Sequence, residues 1–168
     1  TELYEGLIAL QHRGQDAAGI LSYDGMFHLR KQNGMVRDIF RSSDMQRLKG
    51  NLAIAHVRYP TVGMGSEQDA QPFYINFPFG VGMTHNGNLT NWVDLKSNRF
   101  PASNICMESS CDVEAILYAF ADGLGKADPT LPMSERVAAG VKSVFHLAKG
   151  AYSVGGILSE GALFAFRD

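Results

Sequence analysis

Long apolar runs are absent: no stretch of the 168 residues approaches the roughly 18 consecutive apolar positions of a membrane-crossing helix. The chain also does not open on the basic-then-apolar pattern of a secretory leader. Cysteine is scarce. Cys106 and Cys111 are the only two, too few for a disulfide framework and wrongly spaced for a CxxC metal pair. That fits a reducing, cytoplasmic setting. Positive charge is not clustered: 15 Lys and Arg are scattered among 17 Asp and Glu, for a net charge of −2. The basic face that nucleic acids require is missing, and so mixed a surface carries no membrane-attachment signature. Repeats, low-complexity segments and a domain boundary are missing too. What remains is one folded domain: 45% hydrophobic residues supply a core, and 18 glycines imply tight turns between short elements.

Apolar periodicity divides the chain. Leu3, Tyr4, Leu7, Ile8 and Leu10 recur at helical spacing, so the chain opens in a helix. "GILSY" and "MFHLRKQ" flank Asp24-Gly25 as a hairpin. Residues 44–49 read as a short helix, and Leu52 to Val57 as a buried strand stopped by Pro60. Residues 63–72 are polar and turn-rich, a surface loop. "FGVGMTH" is another strand, and Val113, Ile116, Leu117 and Phe120 mark a helix beginning near Ser110 to Asp112. Residues 123–132 read as a loop before a second helix over 133–148, and a closing hairpin turns at Glu160-Gly161. Helices and strands in separate runs point to an α+β layered domain rather than a doubly wound one.

Polar residues gather in four places. "LQHRGQDAAG" carries Arg13, Gly14 and Asp16; "HVRYPT" carries Arg58, Tyr59 and Thr61; "HNGN" spans His85 to Asn88; and "SSCDVE" places Asp112 at a helix start. Each has an ordinary structural reading. Arg13 and Asp16 pair at the helix exit, Arg58 reaches solvent from a strand end, and Asp112 serves a helix N-terminus. Asn86-Gly87 is a hairpin turn. Taken together, they fit a sharper demand. A free amino acid needs an arginine fork for its carboxylate and an acid for its ammonium, which Arg58 and Asp112 supply if the fold unites them. Hydrolysis of a side-chain carboxamide passes through an oxyanion, which the Asn86 amide and the Gly87 N–H can hold. Without a Cβ, Gly87 lets substrate approach closely. The constellation has no evident nucleophile.

"LQHRGQDAAGI", "HVRYPT", "QPF", "HNGNLTN", "SCDVE" and "GALFAFRD" resemble the glutaminase domain of the glutamine phosphoribosylpyrophosphate amidotransferase family, from Leu3 to Asp168. The likeness thins at 97–108 and 122–135. Glucosamine-6-phosphate synthase reads more like "YRGYDSAG" and "HTRWAT", and asparagine synthetase is further away. The resemblance implies a four-layer αββα N-terminal-nucleophile hydrolase sandwich. It implies that Asn86 and Gly87 form the oxyanion hole. Arg58 takes the glutamine α-carboxylate, Asp112 takes the α-amino group, and Tyr59 and Thr61 line the pocket. Arg13, Gly14 and His85, with Asn88 beside it, have supporting roles.

In that family the nucleophile is an N-terminal cysteine heading a buried strand, whereas Thr1 already begins the helix. The expectation is a partial glutaminase domain over 1–168, inactive alone, with the first strand, the nucleophile and the phosphoribosyltransferase domain lying outside it. Thr1, Cys106 and Cys111 are poor substitutes for the nucleophile, since neither cysteine has a free α-amine as its base. No cofactor is expected in this domain. Mg and, in some members, an iron–sulfur cluster belong to the remainder. Glutamine, phosphoribosylpyrophosphate reached through that remainder, and a homo-oligomeric assembly are the implied partners. Three other readings stay open: a sister glutaminase feeding another acceptor, a stand-alone amide hydrolase, and a glutamine-binding domain without turnover.

Overall fold

The computed structural model describes residues 2–59 and 65–168. Helix α1 (Glu2–Leu10) runs through a 3-10 turn, Gln11–Arg13, into hairpin strands β1 (Ala17–Tyr23) and β2 (Phe27–Asn33). Two short helices follow, α2 (Val36–Ile39) and α3 (Ser42–Arg47), then β3 (Leu52–Arg58). After β4 (Phe73–Ile75) and β5 (Val81–Leu89) comes a brief helical stretch headed by α4 (Trp92–Asp94). The long helices α5 (Asp112–Lys126) and α6 (Met133–Leu147) precede the closing hairpin of β6 (Gly150–Leu158) and β7 (Leu163–Arg167).

The strands form two antiparallel sheets, ordered β2-β1-β3 and β4-β5-β6-β7. Strand β1 explains the layering. It is central in its sheet and buried on both faces from Ala17 to Ser22. Alternation sends Ala18 and Ile20 to one side, where they pack with Leu7 of α1 and with Val36, Ile39 and Phe40. Leu21 points the other way, toward the second sheet, and Gly82 of β5 makes the room: a Cβ there would collide with the Leu21 side chain. The outer face of the second sheet carries Val81, Met83, Leu89, Val154 and Leu158 into a core with Ile116, Leu117, Phe120 and Leu124 of α5. Phe120 is fully buried and stacks on Phe164 with ring centroids 4.7 Å apart. Its truncation to alanine removes about 3–5 kcal/mol in sites of this kind. The order of layers is helices, sheet, sheet, helices, an α+β sandwich.

The structure corrects several expectations. Asn86-Gly87 is no hairpin turn. It lies inside β5, paired with Ser153 and Tyr152 of β6. The stretch expected as a surface loop turns inward at its end, burying Asp69, Ala70, Gln71 and Pro72. Asp69 leaves the surface because its carboxylate takes the Ser110 N–H at 2.9 Å and the Ser110 hydroxyl at 2.8 Å, which ties this loop to the start of α5. Residues 123–126 are helical, because Gly123 lets α6 approach; a Cβ would lie 2.7 Å from the Ala139 carbonyl oxygen. Helix α2 and strand β4, of four and three residues, are too short to show a period. Thr1, the weighed substitute nucleophile, lies outside the described residues.

Candidate active site

A cavity of about 800 Å³ opens where the end of β3, the second half of β5 and the start of α5 converge beside α1. Of the residues singled out in the sequence, Arg13, Arg58, Tyr59, His85, Asn86, Gly87 and Asp112 all line it. Gly14 lies just beneath, its Cα packed on the Val57–Arg58 backbone so closely that a Cβ would sit 2.6 Å from the Arg58 carbonyl carbon. Thr61 lies outside the described residues.

Arg58 is the last residue of β3 and only 3% exposed. It does not reach solvent, and Asp16 pairs with it rather than with Arg13: Arg58 Nη1 donates to Asp16 Oδ2 at 2.5 Å. A buried guanidinium needs such a counter-charge, and Asp16 orients the fork while engaging one of its five N–H donors. Arg13 is exposed at the cavity edge, and Tyr59, 70% exposed, stands at the mouth.

Asp112 begins α5, where a carboxylate is favoured by the helix dipole. It is 3% exposed, accepts the Leu89 N–H at 2.8 Å through Oδ2, and lies 3.4 Å from His85 Nδ1 through Oδ1. The side chains of β5 alternate, so His85 faces α5 while Asn86 faces β3 across the sandwich. His85 is fixed from behind as well. Gln71 donates to its carbonyl at 3.1 Å and accepts its N–H at 2.7 Å.

Asn86 and Gly87 are exposed, although they lie within a central strand, because the cavity opens over them. Gly87 has φ of +142°. A Cβ there would strike the Ala151 carbonyl oxygen, so glycine is required for both conformation and space. The Asn86 Oδ1 meets Nε2 of His56 at 3.2 Å. His56 is 8% exposed, and burial pushes its imidazole down to about 4, with His85 and Arg58 adding to the effect against the pull of Asn86.

The cysteines do not serve this site. Cys111 lines the cavity, but burial pushes its thiol up to about 11, with Asp112 adding to the rise. Cys106 is exposed and does not line the cavity. Among the described residues no cluster of three His, Cys, Asp or Glu is grouped to hold a metal ion, and no helix is long and apolar enough to cross a membrane.

Sequence reasoning missed His56 and the bracing roles of Asp69, Gln71 and Glu114. Glu114 accepts the Glu108 and Ser109 N–H groups and the Ser109 hydroxyl, all within 2.8 Å, and so shapes the approach to Asp112. His56, Gln71 and Glu114 gave a signal as members of "HVRYPT", "QPF" and "SCDVE"; Asp69 gave none.

No protein-family model matches the chain. It is 42% identical over 168 residues to the amidophosphoribosyltransferase of Escherichia coli and 41% identical over 169 residues to that of Saccharomyces cerevisiae. Each alignment takes in 99% of this chain and 33% of the relative, so the chain spans about a third of the length of the curated relatives it matches. Among solved structures, it is similar to the glutamine phosphoribosylpyrophosphate amidotransferase from Bacillus subtilis complexed with ADP and GMP. The TM-score is 0.78 at 27% identity, covering 98% of this chain and 34% of the other. A structure of the allosteric regulatory enzyme of purine biosynthesis matches with a TM-score of 0.74 at 27% identity, over 93% of this chain and 32% of that one. Over nearly its whole length the chain is thus similar to the N-terminal third of amidophosphoribosyltransferases.

Proposed function

We propose that the cavity binds glutamine and hydrolyses its side-chain amide. The whole protein then passes the ammonia to phosphoribosylpyrophosphate to form 5-phosphoribosylamine in purine synthesis. The observation that carries this reading is one cavity lined by an arginine, a carboxylate, and an Asn-Gly pair exposed in mid-strand. Arg58, oriented by Asp16, takes the α-carboxylate, and Asp112 takes the α-ammonium. This sets the amide carbonyl against Asn86 and Gly87.

In this reading the nucleophile is a cysteine thiolate at the N-terminus of the mature protein, as in the N-terminal-nucleophile hydrolases. Its sulfur attacks the amide carbon, and the electron pair of the C=O bond moves to oxygen, held by the Asn86 amide and the Gly87 N–H. Collapse breaks the C–N bond, and the nitrogen leaves as ammonia with a proton relayed through the cysteine's α-amine. Water then cleaves the thioester, releasing glutamate and the thiol. The hydrolysis uses no metal or cofactor in this domain; Mg and, in some members of the family, an iron–sulfur cluster belong to the remainder of the protein. A homo-oligomer working in the cytoplasm, with Tyr59, Thr61, Arg13, Gly14 and His85 shaping the pocket, completes the reading.

The experiment treats the full-length protein with a reactive glutamine analogue and maps the adduct by mass spectrometry. An adduct on an N-terminal cysteine, blocked by glutamine, supports the reading. A sample that carries the cysteine, binds glutamine and yields no adduct refutes the hydrolase in favour of a binding domain. In steady-state kinetics, Arg58→Ala raises KM for glutamine, whereas Asn86→Ala lowers kcat by about 10²–10³.

A further inference from the structure

We infer that His56 is the positioning residue that decides which end of the Asn86 carboxamide faces the cavity. This rests on the oxyanion role proposed for Asn86. A carboxamide has two nearly equal ends: one accepts hydrogen bonds and the other donates them. A developing oxyanion needs the NH₂ end. Rotating the amide by half a turn would aim its oxygen at that negative charge and replace attraction with repulsion. Something must hold the amide the right way round before substrate arrives.

His56 is placed to do so. It lies on β3, opposite Gly19 of β1, and reaches across the sandwich to Asn86 on β5, with Nε2 3.2 Å from Oδ1. For Oδ1 to accept, Nε2 must carry the ring proton. A neutral imidazole carries one proton, so Nδ1 is then a bare acceptor. The surroundings favour that tautomer. Nδ1 is buried with no hydrogen-bond partner among the described residues, so a proton there would be a donor without an acceptor, while the same proton on Nε2 meets Oδ1. Of the nearby groups, Arg58 on the same strand and the His85 ring on the facing one oppose a positive ring, outweighing with burial the opposite pull of Asn86 and of the His85 backbone. His56 therefore stays neutral through the physiological range and keeps one donor, directed at Asn86.

Two measurements on the full-length protein test this. The first compares glutaminase kinetics of His56→Leu, His56→Gln, Asn86→Ala and the His56→Leu/Asn86→Ala double variant. Leucine removes the donor, and kcat is expected to fall at least about tenfold with KM for glutamine within about threefold. Glutamine presents an amide N–H near the Nε2 position, and restores most of kcat. In the double variant, loss of His56 costs no more than Asn86→Ala alone. If Asn86→Ala lowers kcat and His56→Leu does not, the positioning role is wrong and the oxyanion role stands. If Asn86→Ala leaves kcat unchanged, the oxyanion role itself fails, and this inference with it. A full His56→Leu loss in the Asn86→Ala background also overturns the positioning role, since His56 would then act without Asn86. The second measurement needs no variant: long-range proton–nitrogen correlation NMR of the histidine rings. His56 is expected to show a protonated Nε2 and a bare Nδ1 across pH 6–8. The opposite tautomer, or an imidazolium in that range, overturns the inference even if every variant misfolds.

Discussion

Replacing Gln71 with leucine tests whether one side chain completes the β5 ladder at the site. Strand β4 pairs with β5 only from Ile75 to Phe73, which lies opposite Met83. Two residues further along, the Gln71 amide takes over, donating to the His85 carbonyl and accepting the His85 N–H as a neighbouring strand would. Gln71 and His85 are each 4% exposed, so water does not replace those bonds when they are lost. Leucine is similar in size and apolar, and leaves a buried N–H and a buried C=O without partners. At about 1–3 kcal/mol for each, the loss is about 4 kcal/mol. With a urea slope of about 2 kcal/mol/M, the unfolding midpoint falls by about 2 M. A fall below about 0.5 M would refute the reasoning.

Gln71→Glu sharpens the test. A carboxylate accepts the His85 N–H but repels its carbonyl, whereas the protonated acid serves both. The folded-state pKa of Glu at this position therefore lies above its unfolded value. Its stabilisation is fully present below the unfolded pKa, near about 4.3, and is lost as pH rises through the folded pKa. Recovery of stability in acid, relative to Gln71→Leu, is the expected signature. A flat pH dependence would mean that the two bonds do not share one amide.

His56, held down to about 4, gives the opposite sign. The folded state binds fewer protons than the unfolded one between about 4 and the ordinary histidine value near 6.5. Stability therefore rises with pH across that window, and His56→Gln removes about 2 kcal/mol of this dependence between urea titrations at pH 4.5 and 7. Gly87→Ala combines a positive φ with a collision against the Ala151 carbonyl. It is expected to destabilise the fold by about 2–4 kcal/mol in thermal unfolding and to abolish the proposed glutaminase turnover of the full-length protein. Under native conditions at pH 7, iodoacetamide labels exposed Cys106 and leaves buried Cys111 unmodified, because the thiolate is the nucleophile. Peptide mapping checks the order, and Cys111 labelling at a comparable rate would contradict its burial.

The elements readable from sequence are those in which one periodicity runs long enough to repeat. Leu3, Leu7 and Leu10 announce α1, and Val113, Ile116, Leu117 and Phe120 announce α5. The hairpin at Asp24-Gly25 is readable because its turn chemistry is local. At Asn86-Gly87 the same local rule, taken alone, gives a turn that is not there, since what suppresses it is the pairing with β6, supplied by residues more than sixty positions away. The bracing residues fail for a related reason. Asp69 and Gln71 look like loop polarity until Ser110 and His85 are brought against them. The partner of Arg58 was within sight as Asp16, but sequence proximity favoured Arg13. The residues that line the cavity were more legible than those that brace them, because the bracing depends on contacts across the sandwich.

The cavity draws its walls from both sheets: Arg58 and His56 belong to β3, Asn86 and Gly87 to β5, and Asp112 to the helix behind β5. A ligand held at both ends by these groups would act as a rivet through the sandwich. At a hundred times its dissociation constant, such a ligand stabilises the joined layers by about 2.7 kcal/mol. Occupancy should thus slow hydrogen exchange in β3 and β5 together, including at amides the ligand never touches. The same geometry would make the hydrolysis proposed for this cavity sensitive to shear: a slide of one sheet over the other would part His56 from Asn86 before it unfolded either sheet.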